Sequence, residues 1–335
     1  MRRPRVLIVD DSAFARTVLS RVLRSSGEID VVGIARDGAD ALERIAVLDP
    51  DIITLDLTMP GVDGIGVLQA LSGRPRPRVI VVSISSVGSE LGAEALSLGA
   101  IDLVAKPTPL ASDRLNEIAD DLVARILAIK PASEEVRENT SPRVPRLHRA
   151  EIILLGTSTG GPQALTRLVA ALPGDLKAPL MMVLHIPVGY THALAERLNR
   201  SSALRVVEAS DGLELVPGLA VLARGGAHLR VVRSGAALSC EVSPLPLSAF
   251  TPSVDELFLS GAKTVASRAL GVVLTGMGDD GLVGSRAIAA AGGMLLTEAA
   301  ASCVVYGMPR CVQEADLGAI SIHLDEMAKG IVDLV

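Results

Sequence analysis

The chain has 335 residues, of which 49% are hydrophobic and 21% charged, with a net charge of −6; that length suits two globular domains. A negative chain without a basic block at either end is not expected to bind nucleic acid, and 1% aromatic content with no Trp excludes base-stacking platforms. Its three cysteines, Cys240, Cys303 and Cys311, lack C-x-x-C spacing, which argues against a disulfide framework or a zinc site and fits a reducing cytoplasm.

Met1-Arg2-Arg3-Pro4-Arg5 has the charge of a leader peptide, but Asp10 and Asp11 interrupt the apolar run that follows. No run reaches the length of a membrane span. A soluble cytoplasmic protein with no membrane insertion is expected. Five apolar runs, Val6–Val9, Asp30–Ala35, Ile52–Leu55, Val79–Val82 and Leu103–Ala105, read as strands. Helical patterns lie between them, as at Ala13–Arg24 and Gly38–Ala46, and a last helix is expected near Asp113–Ile129. Alternation at this spacing predicts a parallel sheet with helices on both faces.

Asp10 and Asp11 follow the first strand and Asp56 follows the third. Ends of parallel strands share one sheet edge, so these carboxylates converge. Packed like charges need a cation, and a hard ion such as Mg²⁺ suits them. Ser83 and Lys106 end the fourth and fifth strands on the same edge. A hydroxyl and an ammonium beside such a cluster make a phosphoryl acceptor, with Asp56 attacking, Lys106 holding anionic oxygens and Ser83 bonding the attached group. Ser85 is the alternative hydroxyl.

Residues 130–149 are rich in Pro, Ser, Glu and Arg, the composition of a flexible linker. Strand and helix alternation restarts at Ile152; Ile152–Leu155, Leu180–Leu184, Ala220–Ala223 and Gly271–Leu274 are the clearest strands. The first runs into Gly156-Thr157-Ser158-Thr159-Gly160-Gly161. A glycine-flanked serine after a strand places a hydroxyl at the carboxyl edge of the sheet, where an α/β protein presents a nucleophile. Among five histidines, His185 ends an apolar run and so reaches that edge, which favours it as general base. Asp279 and Asp280 follow the strand Gly271–Leu274 in a glycine-rich loop. One of the two is expected to orient the imidazole. The competing reading is an anion-binding loop, which its acidic residues disfavour.

Two resemblances fit these residues. Asp10-Asp11, Leu55-Asp56-Leu57-Thr58-Met59-Pro60, Gly61-Val62-Asp63-Gly64, Ser83 and Lys106-Pro107 resemble a response-regulator receiver domain over residues 4–125. That implies a flavodoxin-like five-stranded fold, phosphorylation on Asp56, Mg²⁺ held by Asp10, Asp11 and Asp56, and Ser83 and Lys106 as switch residues. The usual aromatic switch residue is replaced by Leu103. Residues 150–335 resemble the catalytic domain of the CheB-type chemotaxis methylesterases. The match runs through Gly156–Pro162, Leu184-His185-Ile186-Pro187, Pro252-Ser253-Val254-Asp255, Leu274–Gly281 and Ala301–Pro309.

The second resemblance implies a Rossmann-like hydrolase with Ser158 as nucleophile, His185 as base, Asp280 as orienting acid, the Met277 N–H as oxyanion donor and Thr159 at the border of the site. No cofactor is expected for the hydrolysis. The implied reaction is removal of glutamate methyl esters from chemoreceptors, with deamidation of receptor glutamines by the same acyl-enzyme. The implied partners are a chemotaxis histidine kinase and methyl-accepting chemoreceptors. Two doubly wound parallel-sheet domains, joined by a linker at 126–149, would then form a phosphorylation-controlled enzyme whose receiver covers the active site. Competing readings are a hydrolase with a non-chemotactic substrate and a phospho-regulated binding module. Departures from the family pattern at Leu184, Arg224, Phe250-Thr251 and Leu296–Ala300 are expected to border the groove.

Overall fold

The computed structural model describes residues 2–74, 77–84, 89–106, 112–129 and 149–335. The chain divides into two compact units, residues 1–133 and 134–335.

The first unit alternates β1 (Arg5–Val9), α1 (Ala13–Ser25), β2 (Asp30–Ala35), α2 (Gly38–Leu48), β3 (Ile52–Leu55), α3 (Gly64–Leu71), β4 (Arg78–Ile84), α4 (Ser89–Ser97), β5 (Ala100–Lys106) and α5 (Ser112–Ala128). The strands are parallel in the order β2-β1-β3-β4-β5. The order reverses between β1 and β3, so the loops carrying Asp10 and Asp56 flank the crevice of a doubly wound sheet. Side chains start the helices: Ser12, Asp37 and Asp63 each accept a backbone N–H from the first turn of α1, α2 and α3. Helix α5 carries the first unit to Ala128, and the buried Ile129 follows it. The segment expected as linker, 126–149, therefore begins as helix; residues 130–148 of it, His148 included, lie outside the described residues, as do Ser85 and Pro107.

The second unit comprises β6 (Ile152–Thr157), α6 (Gly161–Ala171), β7 (Leu180–Leu184), α7 (Thr191–Arg200), β8 (Arg205–Glu208), β9 (Leu219–Leu222), β10 (His228–Ser234), β11 (Ala237–Ser243), α8 (Val254–Val265), β12 (Ala269–Val273), α9 (Leu282–Ala290), β13 (Met294–Glu298), α10 (Met308–Glu314), β14 (Ile320–Ile322) and α11 (Leu324–Val332). Seven parallel strands run β14-β13-β12-β6-β7-β9-β8. An antiparallel hairpin, β10 and β11, stands apart from this sheet; the sequence reading did not anticipate it.

Every residue of β6 is buried, as expected for a central parallel strand covered on both faces. Its side chains alternate between two apolar layers. Ile153 and Leu155 pack with Leu165 and Leu168 of α6 and Met327 and Ile331 of α11. Ile152 and Leu154 face Leu257 and Phe258 of α8. The chain crosses from one side of β6 to the other between β7 and β12, so Ser158, just beyond β6, stands at the switch point. All three cysteines are free. No helix among the described residues is long and apolar enough to cross a membrane.

Candidate active site and phosphoacceptor pocket

In the first unit, Asp10 and Asp56 are buried and Asp11 is exposed, and one carboxylate oxygen from each lies within 4.8 Å of the others. Lys106 Nζ sits 2.6 Å from Asp10 Oδ2 and 2.6 Å from Asp56 Oδ2. Burial pushes the Asp10 carboxyl up; Lys106 pulls it down and the Asp56 charge raises it again. One ammonium thus serves a cluster of three carboxylates, a hard oxygen-donor set short of positive charge that fits a divalent cation. Ser83, at the end of β4, and Lys106, at the end of β5, are both buried on this edge. Leu103 is buried within β5.

In the second unit, register brings the nucleophile and base candidates together. Thr157 on β6 pairs with Leu184 on β7, so Ser158 and His185 are each one residue past a paired position. The His185 N–H donates to Thr157 O at 3.2 Å. Gly160, with φ +83°, turns the chain from Ser158 into α6. On the other flank, β12 pairs Val273 with Gly156 and leads into the loop carrying Asp280. The Ser158 N–H donates to Thr275 O at 3.1 Å. Gly276 lies so close that a Cβ there would meet Ser158 Cβ at 2.9 Å, and the absence of a side chain is what allows this approach.

His185 Nε2 is 2.8 Å from Asp280 Oδ2. Asp280 also accepts from the Ser253 hydroxyl at 2.9 Å, Val254 N–H at 2.7 Å and Asp255 N–H at 2.9 Å. These donors form the first turn of α8, whose partial positive end favours an anion. Burial works to raise the Asp280 carboxyl, but the His185 bond and charge and the backbone N–H groups of Asp255 and Val254 hold it below the ordinary carboxylate range. An ionised Asp280 accepts a hydrogen bond from Nε2–H, which leaves the Nδ1 lone pair without a partner. His185 Nδ1 is buried and makes no hydrogen bond. Of the neighbouring pair, Asp279 is exposed.

Asp255 in turn caps α9, its Oδ1 accepting from Gly281 N–H at 3.0 Å and Gly284 N–H at 2.7 Å. The loop bearing Asp280 and the start of α8 are therefore pinned to each other from both sides. The Met277 N–H has no acceptor among the described residues, and Thr159 is buried beside Ser158, its carbonyl accepting from the Thr275 hydroxyl at 3.0 Å.

Three further residues stand around this site: Phe250 and Glu298, which the sequence marks only as groove positions, and His228, to which it assigns no role. Phe250 stacks on His185, ring centroids 4.3 Å apart and planes 2° apart. His228, fully buried, takes the Ser253 N–H on Nδ1 at 3.2 Å and bonds Pro246 O through Nε2 at 2.8 Å; it anchors the loop that carries Phe250 and Ser253. Glu298 is fully buried at the end of β13 and accepts the Thr275 N–H on Oε2 at 2.8 Å. Of the positions expected along a groove, Leu184, Leu296 and Glu298 instead lie in the core. Strands at the centre of a covered sheet face helices on both sides, which accounts for this.

A phosphoacceptor-type pocket on one doubly wound unit and a serine, histidine and carboxylate on the edge of another define a receiver-linked hydrolase architecture. The response regulator receiver domain matches residues 6–119, and the CheB methylesterase family matches residues 153–331. A Myxococcus xanthus protein-glutamate methylesterase/protein-glutamine glutaminase is 54% identical over 332 residues, covering 96% of this chain and 95% of that protein. One from Symbiobacterium thermophilum is 42% identical over 341 residues, covering 95% and 93%. Among solved structures, the Thermotoga maritima CheB methylesterase catalytic domain superposes with a TM-score of 0.54 at 33% identity, covering 56% of this chain and 99% of that one. The chain belongs to the CheB methylesterase family and carries a response regulator receiver domain.

Proposed function

We propose that this protein hydrolyses glutamate methyl esters on chemoreceptors, and deamidates receptor glutamines, under control of phosphorylation at Asp56. The observation that carries the reading is the His185–Asp280 contact at 2.8 Å with Nδ1 buried and unbonded, one residue past the strand pair that sets Ser158 beside it.

The chemistry follows from that arrangement. His185 Nδ1 takes the Ser158 hydroxyl proton as Oγ attacks the ester carbonyl carbon. The developing oxyanion takes the Met277 N–H. Nδ1–H then passes its proton to the departing methoxide, and methanol leaves an acyl-enzyme on Ser158. A water gives its proton to Nδ1 and attacks the same carbon, and collapse returns glutamate and the serine hydroxyl. With a glutamine the first leaving group is ammonia. Asp280 stays ionised throughout and balances the imidazolium.

Asp10, Asp11 and Asp56 would hold Mg²⁺, which when bound neutralises the anionic oxygens of a phosphodonor. Asp56 receives the phosphoryl group, Lys106 pairs with it and Ser83 bonds it. The phosphodonor is a histidine kinase of the chemotaxis system, the substrate a methylated chemoreceptor, and the site of action the cytoplasm. Methanol release from methylated receptor, with and without a small-molecule phosphodonor, tests the whole reading. The wild-type chain is expected to release methanol, and faster with the donor. Ser158→Ala should lose the activity by several orders of magnitude; methanol release at the wild-type rate by that variant would overturn the nucleophile assignment.

A further inference from the structure

Residues 244–250 are exposed throughout, yet Phe250 lies flat against His185. The segment is held from both sides. Arg230 Nη2 donates to Leu245 O at 2.7 Å, His228 Nε2 bonds Pro246 O at 2.8 Å, and Gly226 N–H donates to Thr251 O at 3.2 Å. Phe250 is thus delivered by an anchored loop, one that reaches the site from the hairpin end of the unit and not from a sheet edge.

His185 needs such a contact. Its Nε2 is tied to Asp280, but one hydrogen bond does not by itself set the tilt of the ring, and Nδ1, though buried, makes none. Asp280 itself is immobilised by Ser253, Val254 and Asp255. No second hydrogen bond sets the plane of the imidazole, and a coplanar aromatic face lies 4.3 Å from it.

We propose that Phe250 is a positioning residue that holds the His185 plane so that Nδ1 addresses Ser158. The proposal rests on the reading of His185 as the base. An aromatic contact of this kind biases held over displaced rings by about 2- to 10-fold, and the turnover rate scales with the fraction of competent rings.

The test uses the full-length chain and the variants Phe250→Leu and Phe250→Tyr. Phe250 is more than a third exposed, so neither change opens the core. The His185 ring protons, followed by NMR, report the ring-current shift from Phe250, and methanol release gives kcat and KM. Phe250→Leu is expected to abolish the ring-current shift and to lower kcat by a factor of up to about 10 with KM within about twofold; Phe250→Tyr should restore both. The proposal is overturned if Phe250→Leu leaves the ring signals in place, if it leaves kcat unchanged, if the whole effect lies in KM, or if Phe250→Tyr fails to restore kcat. A wild-type chain that releases no methanol would overturn the hydrolase reading and the proposal together. Failure of the proposal alone looks different: the wild type turns over and Phe250→Leu matches it.

Discussion

Glu298 makes stability depend on pH in a direction opposite to most carboxylates. It is fully buried and accepts the Thr275 N–H. Burial pushes its carboxyl from 4.5 up to about 7, and the Thr275 bond offsets this only in part. Below about 4.5 the folded and unfolded chains both keep the proton. Between there and about 7 the unfolded chain releases it first, so stability falls as pH rises through the folded value. The gap, at about 1.4 kcal/mol per pH unit, is about 3 kcal/mol by pH 8. Glu298→Gln removes the titration and keeps a carbonyl for the Thr275 N–H. Relative to wild type, the variant is expected to gain about 3 kcal/mol between pH 4.5 and pH 8, read as the difference in urea midpoints across that range. Methanol release should persist, since Thr275 still holds Ser158. A difference between variant and wild type that stays constant from pH 4.5 to 8 would refute the reasoning.

Asp280→Asn should lower kcat by about 10³-fold or more. An amide nitrogen turned toward His185 makes Nε2 the acceptor and puts the proton on Nδ1, where it cannot be exchanged for the serine's. That orientation strands the Val254 N–H and the opposite one the Asp255 N–H, so the variant should also lose about 1–3 kcal/mol of stability. Because Asp280 is held below the ordinary range, its contribution is present above about pH 4 and fades as pH falls through the folded value; the gap to wild type should narrow in acid, as urea midpoints at pH 3 and pH 7 will show. Asp56→Asn is expected to abolish stimulation by a phosphodonor and spare basal methanol release; stimulation that survives would move the phosphoacceptor elsewhere.

Much of the site was legible because parallel strands, buried on both faces, read as apolar runs, and whatever polar residue ends such a run lands on one edge. That logic reaches Asp10, Asp56, Lys106, Ser158 and His185 without any knowledge of packing. It reaches Asp280 only as one of two neighbours, since the choice between Asp279 and Asp280 depends on which faces the first turn of α8. The hairpin escaped because β10 and β11 mix buried, half-buried and exposed positions and carry His228, Arg230, Arg233 and Glu241; charge within a short strand reads as loop. Phe250 is legible as a groove position but not as the ring that stacks on His185. Its segment has no periodicity, and its placement is set by side-chain anchors far away in sequence, at Arg230 and His228. Glu298 is expected along the groove but lies buried; Met294-Leu-Leu-Thr-Glu298 is an apolar run ending in an acid, the same pattern that revealed Asp56.

The orientation of His185 is inherited from folding bonds rather than added to them. Ser253 caps α8, accepting the Glu256 N–H at 3.4 Å while its hydroxyl donates to Asp280. The next two backbone N–H groups, which in an ordinary helix look to the cap or to water, bind the same carboxylate. Asp280 therefore completes a helix terminus and presents its remaining oxygen capacity to the imidazole. Asp255, the third residue of that turn, closes the arrangement by capping α9. A carboxylate that completes a helix end cannot drift without freeing buried N–H groups, at about 1–3 kcal/mol for each. With the acid held, the imidazole plane is set by no second hydrogen bond of its own, and the loop anchored by His228 lays an aromatic face against it.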